Sequence, residues 1–216
     1  MRGEGHAFRL GALVAGLAVV GAMQGVSGER PGGAHVRVVF PADRCVLESG
    51  KIDLLCVMPE AKPGKALRPA LRVDRKARKW EPYEAPVLLS RLQLTEGQHD
   101  IVVGPSKLPV YVHGKAETPE EFRAWPVLRA HPGKDEGWRD CEACHAVTKQ
   151  GGRTKLGDPR EPAACLGCHT PQAFEAVHFH PLPPLTACHL CHAVHGSSSA
   201  SLLRAPVKEL CQRCHD

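Results

Sequence analysis

Apolar positions divide this chain into three stretches of different rhythm. Leu10 to Met23 is an unbroken run of Ala, Gly, Val, Leu and Met behind the cationic residues Arg2 and Arg9. From about 34 to 115, short runs rich in β-branched and aliphatic residues alternate with Gly, Pro and Asp. They are His35–Phe40, Lys51–Met58, Ala66–Val73, Val87–Leu94, Asp100–Val103 and Leu108–His113. Short strands at that spacing predict a small antiparallel β-sandwich, immunoglobulin-like in general outline. Leu92 to Val103 reads as a hairpin with Glu96-Gly97 at its tip. Beyond residue 130 large apolar residues become few, and a core of side chains alone would be thin there.

The first stretch has the layout of a secretory signal peptide over residues 1–28, with Val26-Ser27-Gly28 offering small residues for cleavage before Glu29. The run is shorter than the roughly 20 residues of a spanning helix. Cleavage is therefore expected, leaving no transmembrane span and a periplasmic or extracellular protein. No cysteine follows the run, so no lipid attachment point is expected. Residues 29–115 are then the β-sandwich domain. Residues 116–130 are a linker or short helix, with Thr118 as N-cap, Pro119 at the first helical position and Trp125-Pro126 as the stop.

Cysteine changes the picture most. Eight of the ten cysteines fall in four Cys-x-x-Cys-His motifs, Cys141–His145, Cys165–His169, Cys188–His192 and Cys211–His215. This is the attachment signature of c-type haem. Thiols three positions apart share one face of a helical turn, and the next residue places an imidazole beneath the iron. Paired zinc ribbons also use Cys-x-x-Cys, but they do not need a histidine after every second cysteine. Four covalent haem c groups are expected, held by Cys141, Cys144, Cys165, Cys168, Cys188, Cys191, Cys211 and Cys214, with His145, His169, His192 and His215 as proximal ligands. Haem of this type is attached outside the cytoplasm, which agrees with the signal peptide. Cys45 and Cys56 stand apart. They are symmetric about the Gly50-Lys51 turn, so a hairpin would set them opposite each other, and a disulfide is expected in an oxidising compartment.

The formal net charge of +5 falls to +4 when cleavage removes Arg2, Arg9 and Glu4. Four haems add about −4 when oxidised and about −8 when reduced, counting propionates against iron. No basic stripe remains to suggest nucleic acid, and Arg72–Lys79 reads as a solvated strand or turn.

Residues 131–216 are an internal duplication of a two-haem unit, 131–169 and 178–215. Cys141-Glu-Ala-Cys-His-Ala-Val-Thr148 aligns with Cys188-His-Leu-Cys-His-Ala-Val-His195, and Leu156-Gly-Asp-Pro159 with Leu203-Arg-Ala-Pro206. His131 precedes the first motif much as His180 precedes the third. The stretch from His180 to His215, with its Cys188-x-x-Cys-His-x-x-His-Gly196 and Leu210-Cys-x-x-Cys-His215, resembles the doubled motif of multihaem c-type cytochromes related to class III tetrahaem cytochromes c. The resemblance covers about 86 of 216 residues. It implies electron transfer through closely packed bis-histidine haems. The first copy departs from it at Thr148, where the second has His195.

Each iron of a pure carrier needs a sixth ligand. After cleavage only Met58 remains as a methionine, and it lies in the β segment. Within the module, His131, His178, His180 and His195 are the candidate distal ligands. His189 lies inside an attachment loop with poor reach to an iron. His35, His99 and His113 read as ordinary β-domain residues. Methionine ligation raises haem potential, so its absence points to low-potential haems suited to anaerobic respiration. A saturated iron binds no substrate, which makes the expected role an electron carrier between redox partner proteins, and not an enzyme. The alternatives are a multihaem reductase with one open haem, with the first copy as the place to look, and a subunit of a haem filament or membrane redox complex. The β domain would dock a redox partner or mediate self-assembly.

Overall fold

The structure is a computed structural model that describes residues 35–61, 68–131, 138, 140–169 and 186–215. All of these belong to one compact unit, Ala34–Asp216. The expected signal peptide, His178 and His180 lie outside the described residues. Among the described residues, no helix is long and apolar enough to cross a membrane.

The chain is mostly β-sheet with a few short helices. Strands β1 (Arg37–Phe40), β3 (Lys51–Val57) and β6 (Val87–Gln93) form a three-stranded antiparallel sheet in the order β1-β3-β6. A six-stranded sheet runs β5-β4-β7-β8-β2-β9. Its strands are β2 (Cys45–Leu47), β4 (Leu71–Val73), β5 (Lys76–Arg78), β7 (Gly97–Val103), β8 (Ser106–Val112) and β9 (Val127–Leu128). Alternation decides which side chains go inside. Ile52, Leu54 and Cys56 of β3, with Leu88 and Leu92 of β6, share one buried cluster with Ile101 and Val103 of β7 and Leu108, Val110 and Val112 of β8.

Several expectations need correction. The six-stranded sheet is mixed, because β2 pairs parallel to both β8 and β9. Leu92 to Val103 is not a hairpin. β6 pairs with β3, whereas β7 pairs with β4 and β8. The segment at Glu96-Gly97 therefore carries the chain from one sheet to the other, which lets the apolar faces of β6 and β7 contribute to the core from two sheets. The local hairpin is β7–β8, turning at Gly104-Pro105. The run Arg72–Lys79 is a solvated hairpin, β4–β5, with Asp74 and Arg75 at positive φ in its tip.

Cys45 and Cys56 do not face each other across a hairpin either, because β2 and β3 lie in different sheets. Both are free thiols, fully buried in the core. Burial pushes each thiol up to about 12, helped at Cys45 by the Asp43 carboxylate.

The segment expected as a linker is docked on the sheet. Its single 3-10 turn, Glu120–Phe122, starts after Pro119. Phe122 stacks on Tyr111 at 4.4 Å and meets Trp125 edge-on at 5.0 Å. Together with Val46 they cover the outer face of the six-stranded sheet, and β9 follows directly.

Beyond 131 the structure is local. Strands β10 (His145–Gln150) and β11 (Arg153–Pro159) form a hairpin. Gly151 and Gly152 at its tip have φ of +57° and +72°, a conformation that favours glycine. Among the described residues three short helices precede or follow it, α1 (Cys141–Cys144), α2 (Ala163–Leu166) and α3 (Val207–Cys211). Among the described residues from 131 onward only Ser197 and Ala205 are buried, so side chains build almost no core here.

Among the described residues, backbone bonds tie the module to the β domain at two places. Thr154 of β11 exchanges backbone bonds with the 82–84 loop, Glu84 N–H to Thr154 O at 2.7 Å and Thr154 N–H to Pro82 O at 2.8 Å. Ser197 exchanges two 2.9 Å bonds with Arg129, just beyond β9. Gly196 beside it has φ +148°, and a Cβ there would come within 2.3 Å of the Phe40 ring. Glycine is what lets the second copy sit this close.

His99 is buried, with Nδ1 2.6 Å from the Asp74 carboxylate and Nε2 2.8 Å from the Thr95 carbonyl. Partial burial pushes the Asp74 carboxyl up. The His99 ring, the Asp100 amide and the Lys76 ammonium outweigh that and hold it below 3.8. The stabilisation is therefore complete above the unfolded value and is lost as pH falls through the lower folded one. Asp74→Asn is expected to cost about 0.5–1 kcal/mol at pH 7, at the low end because the carboxylate is half-exposed. The difference from wild type should shrink towards zero below about pH 3. Urea melts followed by far-ultraviolet circular dichroism at both pH values would measure it, and a deficit that persists unchanged in acid would contradict the assignment.

Candidate functional site

Each Cys-x-x-Cys-His motif is one helical turn closed in the same way. The backbone N–H of the histidine donates to the carbonyl of the first cysteine, His145 to Cys141, and then His169 to Cys165 at 2.9 Å, His192 to Cys188 at 3.0 Å and His215 to Cys211 at 2.9 Å. The turn brings both thiols and the following imidazole to one locus from only five residues. Asp140 caps the first turn by accepting from the Glu142 amide at 2.9 Å.

Two proximal histidines have a fixed tautomer. His145 Nδ1–H donates to the Gly157 carbonyl at 2.8 Å, across the β10–β11 hairpin. His192 Nδ1–H donates to the Ser201 carbonyl at 2.8 Å. A carbonyl can only accept, so Nδ1 carries the proton and Nε2 keeps the lone pair a metal needs. Ser201 and Leu202 both stand at positive φ, +53° and +55°. The strained pair places that carbonyl against His192.

The candidate distal histidines within the described residues each face a proximal one. The His131 and His169 rings have centroids 6.0 Å apart at 79°. The His145 and His195 rings are 6.2 Å apart at 10°. An iron with an imidazole nitrogen about 2 Å away on each side sets two ring centroids roughly 6 Å apart. Rotation about that axis is free, so either interplanar angle suits it. The donor set thus fits bis-histidine haem at these two positions. His145 and His195 belong to different copies, so the first proximal histidine has a facing histidine despite Thr148. Thr148 itself is exposed on β10, opposite Lys155. His189, set aside on reach, is bound by Nδ1 to Glu161 at 2.5 Å.

The first three attachment turns lie close together. Burial, then the Cys188 thiol bonded to it and Glu161 nearby, push Cys165 up to about 11. Burial followed by Asp140 and Cys168 raises Cys144, against the opposing Arg160. The Tyr83 hydroxyl of the β domain donates to Cys141 Sγ at 3.6 Å, and burial with this contact raises the phenol. Arg91 lies over Trp138 at 5.8 Å on the same side. Among the described residues no group of three or more His, Cys, Asp or Glu side chains converges.

Two arginines had no signal in the sequence reading. The Arg160 amide donates to Cys144 O at 2.9 Å, and its guanidinium to Glu142 O at 2.6 Å and Ala143 O at 3.3 Å. The Arg204 amide donates to Cys191 O at 2.8 Å, and its guanidinium to His189 O. Arg160 follows Pro159, whereas Arg204 precedes Pro206. Their different offsets hide the equivalence from an alignment of the two copies.

Residues 131–174 and 183–216 match the family described as "Doubled CXXCH motif". No curated protein and no solved structure matches the chain. The family match supports a multihaem c-type cytochrome with covalently bound haem c, involved in electron transfer.

The two core cysteines give a direct check. In the holoprotein, iodoacetamide should leave Cys45 and Cys56 unmodified while the protein is folded and label both after denaturation without reductant. Peptide mass spectrometry reads the outcome, and unlabelled cysteines after denaturation would show a disulfide instead.

Proposed function

We propose that this chain is an exported tetrahaem c-type cytochrome that carries electrons between redox partners through bis-histidine, low-potential haems. The observation that carries this reading is the placement of His131 against His169 and of His195 against His145, each about 6 Å apart. Each thioether pair would be supplied by one attachment turn. His145 and His195 would hold the first haem, and His169 and His131 the second. The duplication sets His180 against His215 by analogy with His131 and His169, which leaves His178 for His192. When bound, each haem supplies a one-electron couple.

The chain's own residues prepare that chemistry. The Gly157 and Ser201 carbonyls hold the Nδ1 protons of His145 and His192 and aim Nε2. The described residues of the module bury little of their own, so four large apolar macrocycles would complete its core, as the scarcity of large side chains demands. The absence of a methionine ligand supports low potentials. The β domain, an immunoglobulin-like sandwich in outline, would dock a redox partner, a further copy or a membrane redox complex. Saturated iron argues for a carrier and against a reductase. The reductase reading keeps one specific foothold, which is the third motif, whose reciprocal ligand position is Thr148.

The exported protein should weigh residues 29–216 plus four haems, by intact mass spectrometry. Reduced wild type should give no carbon monoxide difference spectrum. His195→Ala and His131→Ala should each open about one haem in four to carbon monoxide. Binding by wild type, or variants that stay closed, would contradict the ligand assignment.

A further inference from the structure

The two arginines form matching clamps. Both donate a backbone N–H to the carbonyl of the second cysteine in a motif, Arg160 to Cys144 and Arg204 to Cys191. Both send a guanidinium to the carbonyl of the residue after the first cysteine, Glu142 and His189. Glu142 and His189 are unlike side chains at the same motif position, so the clamp reads the backbone and not the sequence. The copies reach it from different sequence offsets, one after a proline and one before. Chain continuity alone does not enforce that coincidence.

A guanidinium suits this task. Its fixed fork makes charge-assisted bonds to carbonyls and it stays protonated at any working pH. Carbonyls at the end of a single helical turn carry partial negative charge. Left alone they would face solvent or the neighbouring cofactor. The clamp neutralises them and pins the turn from which both thiols and the proximal imidazole project. It also leaves a permanent positive charge beside the first and third attachment turns. Adding one electron to an iron centre lowers its net charge by one, so a fixed cation nearby favours the reduced state.

We propose that Arg160 and Arg204 are positioning residues of the first and third attachment turns, and that their charge holds the haems there at higher potential than an uncharged side chain would. This rests on the multihaem reading. Among the described residues such clamps stand only at the first and third turns, and the consequence is a division between those two haems and the others, and so a preferred order of filling.

The test starts by counting haems on the wild type by mass spectrometry. Fewer than four would defeat the tetrahaem reading and leave the clamp a separate question, tested at whichever of the first and third motifs carries haem. Arg160→Gln, Arg204→Gln, the double variant and the two lysine variants are then titrated by optical spectroelectrochemistry. Each glutamine variant should move about a quarter of the haem absorbance to more negative potential, and the double variant about half. Lysine, which keeps the charge, should hold most of the wild-type potential. Loss of haem confined to Cys141–His145 in Arg160→Gln, or to Cys188–His192 in Arg204→Gln, would support the positioning role by peptide mapping. Titrations that superimpose on wild type would overturn the proposal. So would a shift or haem loss spread over all four motifs, the mark of general loosening.

Discussion

The bond from the histidine N–H to the first cysteine carbonyl is the interaction on which the rest depends. It closes Cys-x-x-Cys-His into one helical turn in all four motifs. Two thiols and an imidazole then project from a segment too short to fold alone. A turn of this size has no core, so everything that steadies it comes from outside. The supports are the β10–β11 hairpin under His145, the strained Ser201-Leu202 pair under His192, and the arginine clamps.

The β domain provides the contrast. Its buried cluster draws on both sheets and includes fully buried Leu54, Ile101 and Val110. Truncating such a residue to alanine typically costs a few kcal/mol, a scale of stabilisation that the module's side chains do not offer. The module instead hangs on the domain by paired backbone bonds at Thr154 and Ser197, with Tyr83 reaching Cys141 and Gly196 allowing close approach to Phe40. The two parts thus divide the work. The domain supplies rigidity, and the module supplies donor atoms held close together by short segments.

Much of this was readable in the residues themselves. The motif spacing predicts a helical turn, and the duplication predicts two related units. The β rhythm locates most of the strands and their inward faces. What alternation does not encode is the partner of each strand. It says which face of β6 and β7 is buried, but not that they belong to different sheets. The same gap misled the pairing of Cys45 with Cys56. The pairing of histidines is likewise tertiary. His195 lies in the second copy yet faces His145 of the first, which an alignment that compares Thr148 with His195 does not show. The Gly151-Gly152 turn was legible in principle as a hairpin signal, but it sits where no strand rhythm flanks it clearly. Arg160 and Arg204 could be found only in three dimensions.

The central claim is that every iron is held between two histidines. Low-temperature electron paramagnetic resonance of the oxidised, purified protein tests it directly by quantifying high-spin against low-spin ferric haem. Two axial imidazoles on each iron predict a wholly low-spin spectrum. A high-spin fraction of about a quarter would contradict it, and would mark one haem, expected at His192, as open to an outside ligand.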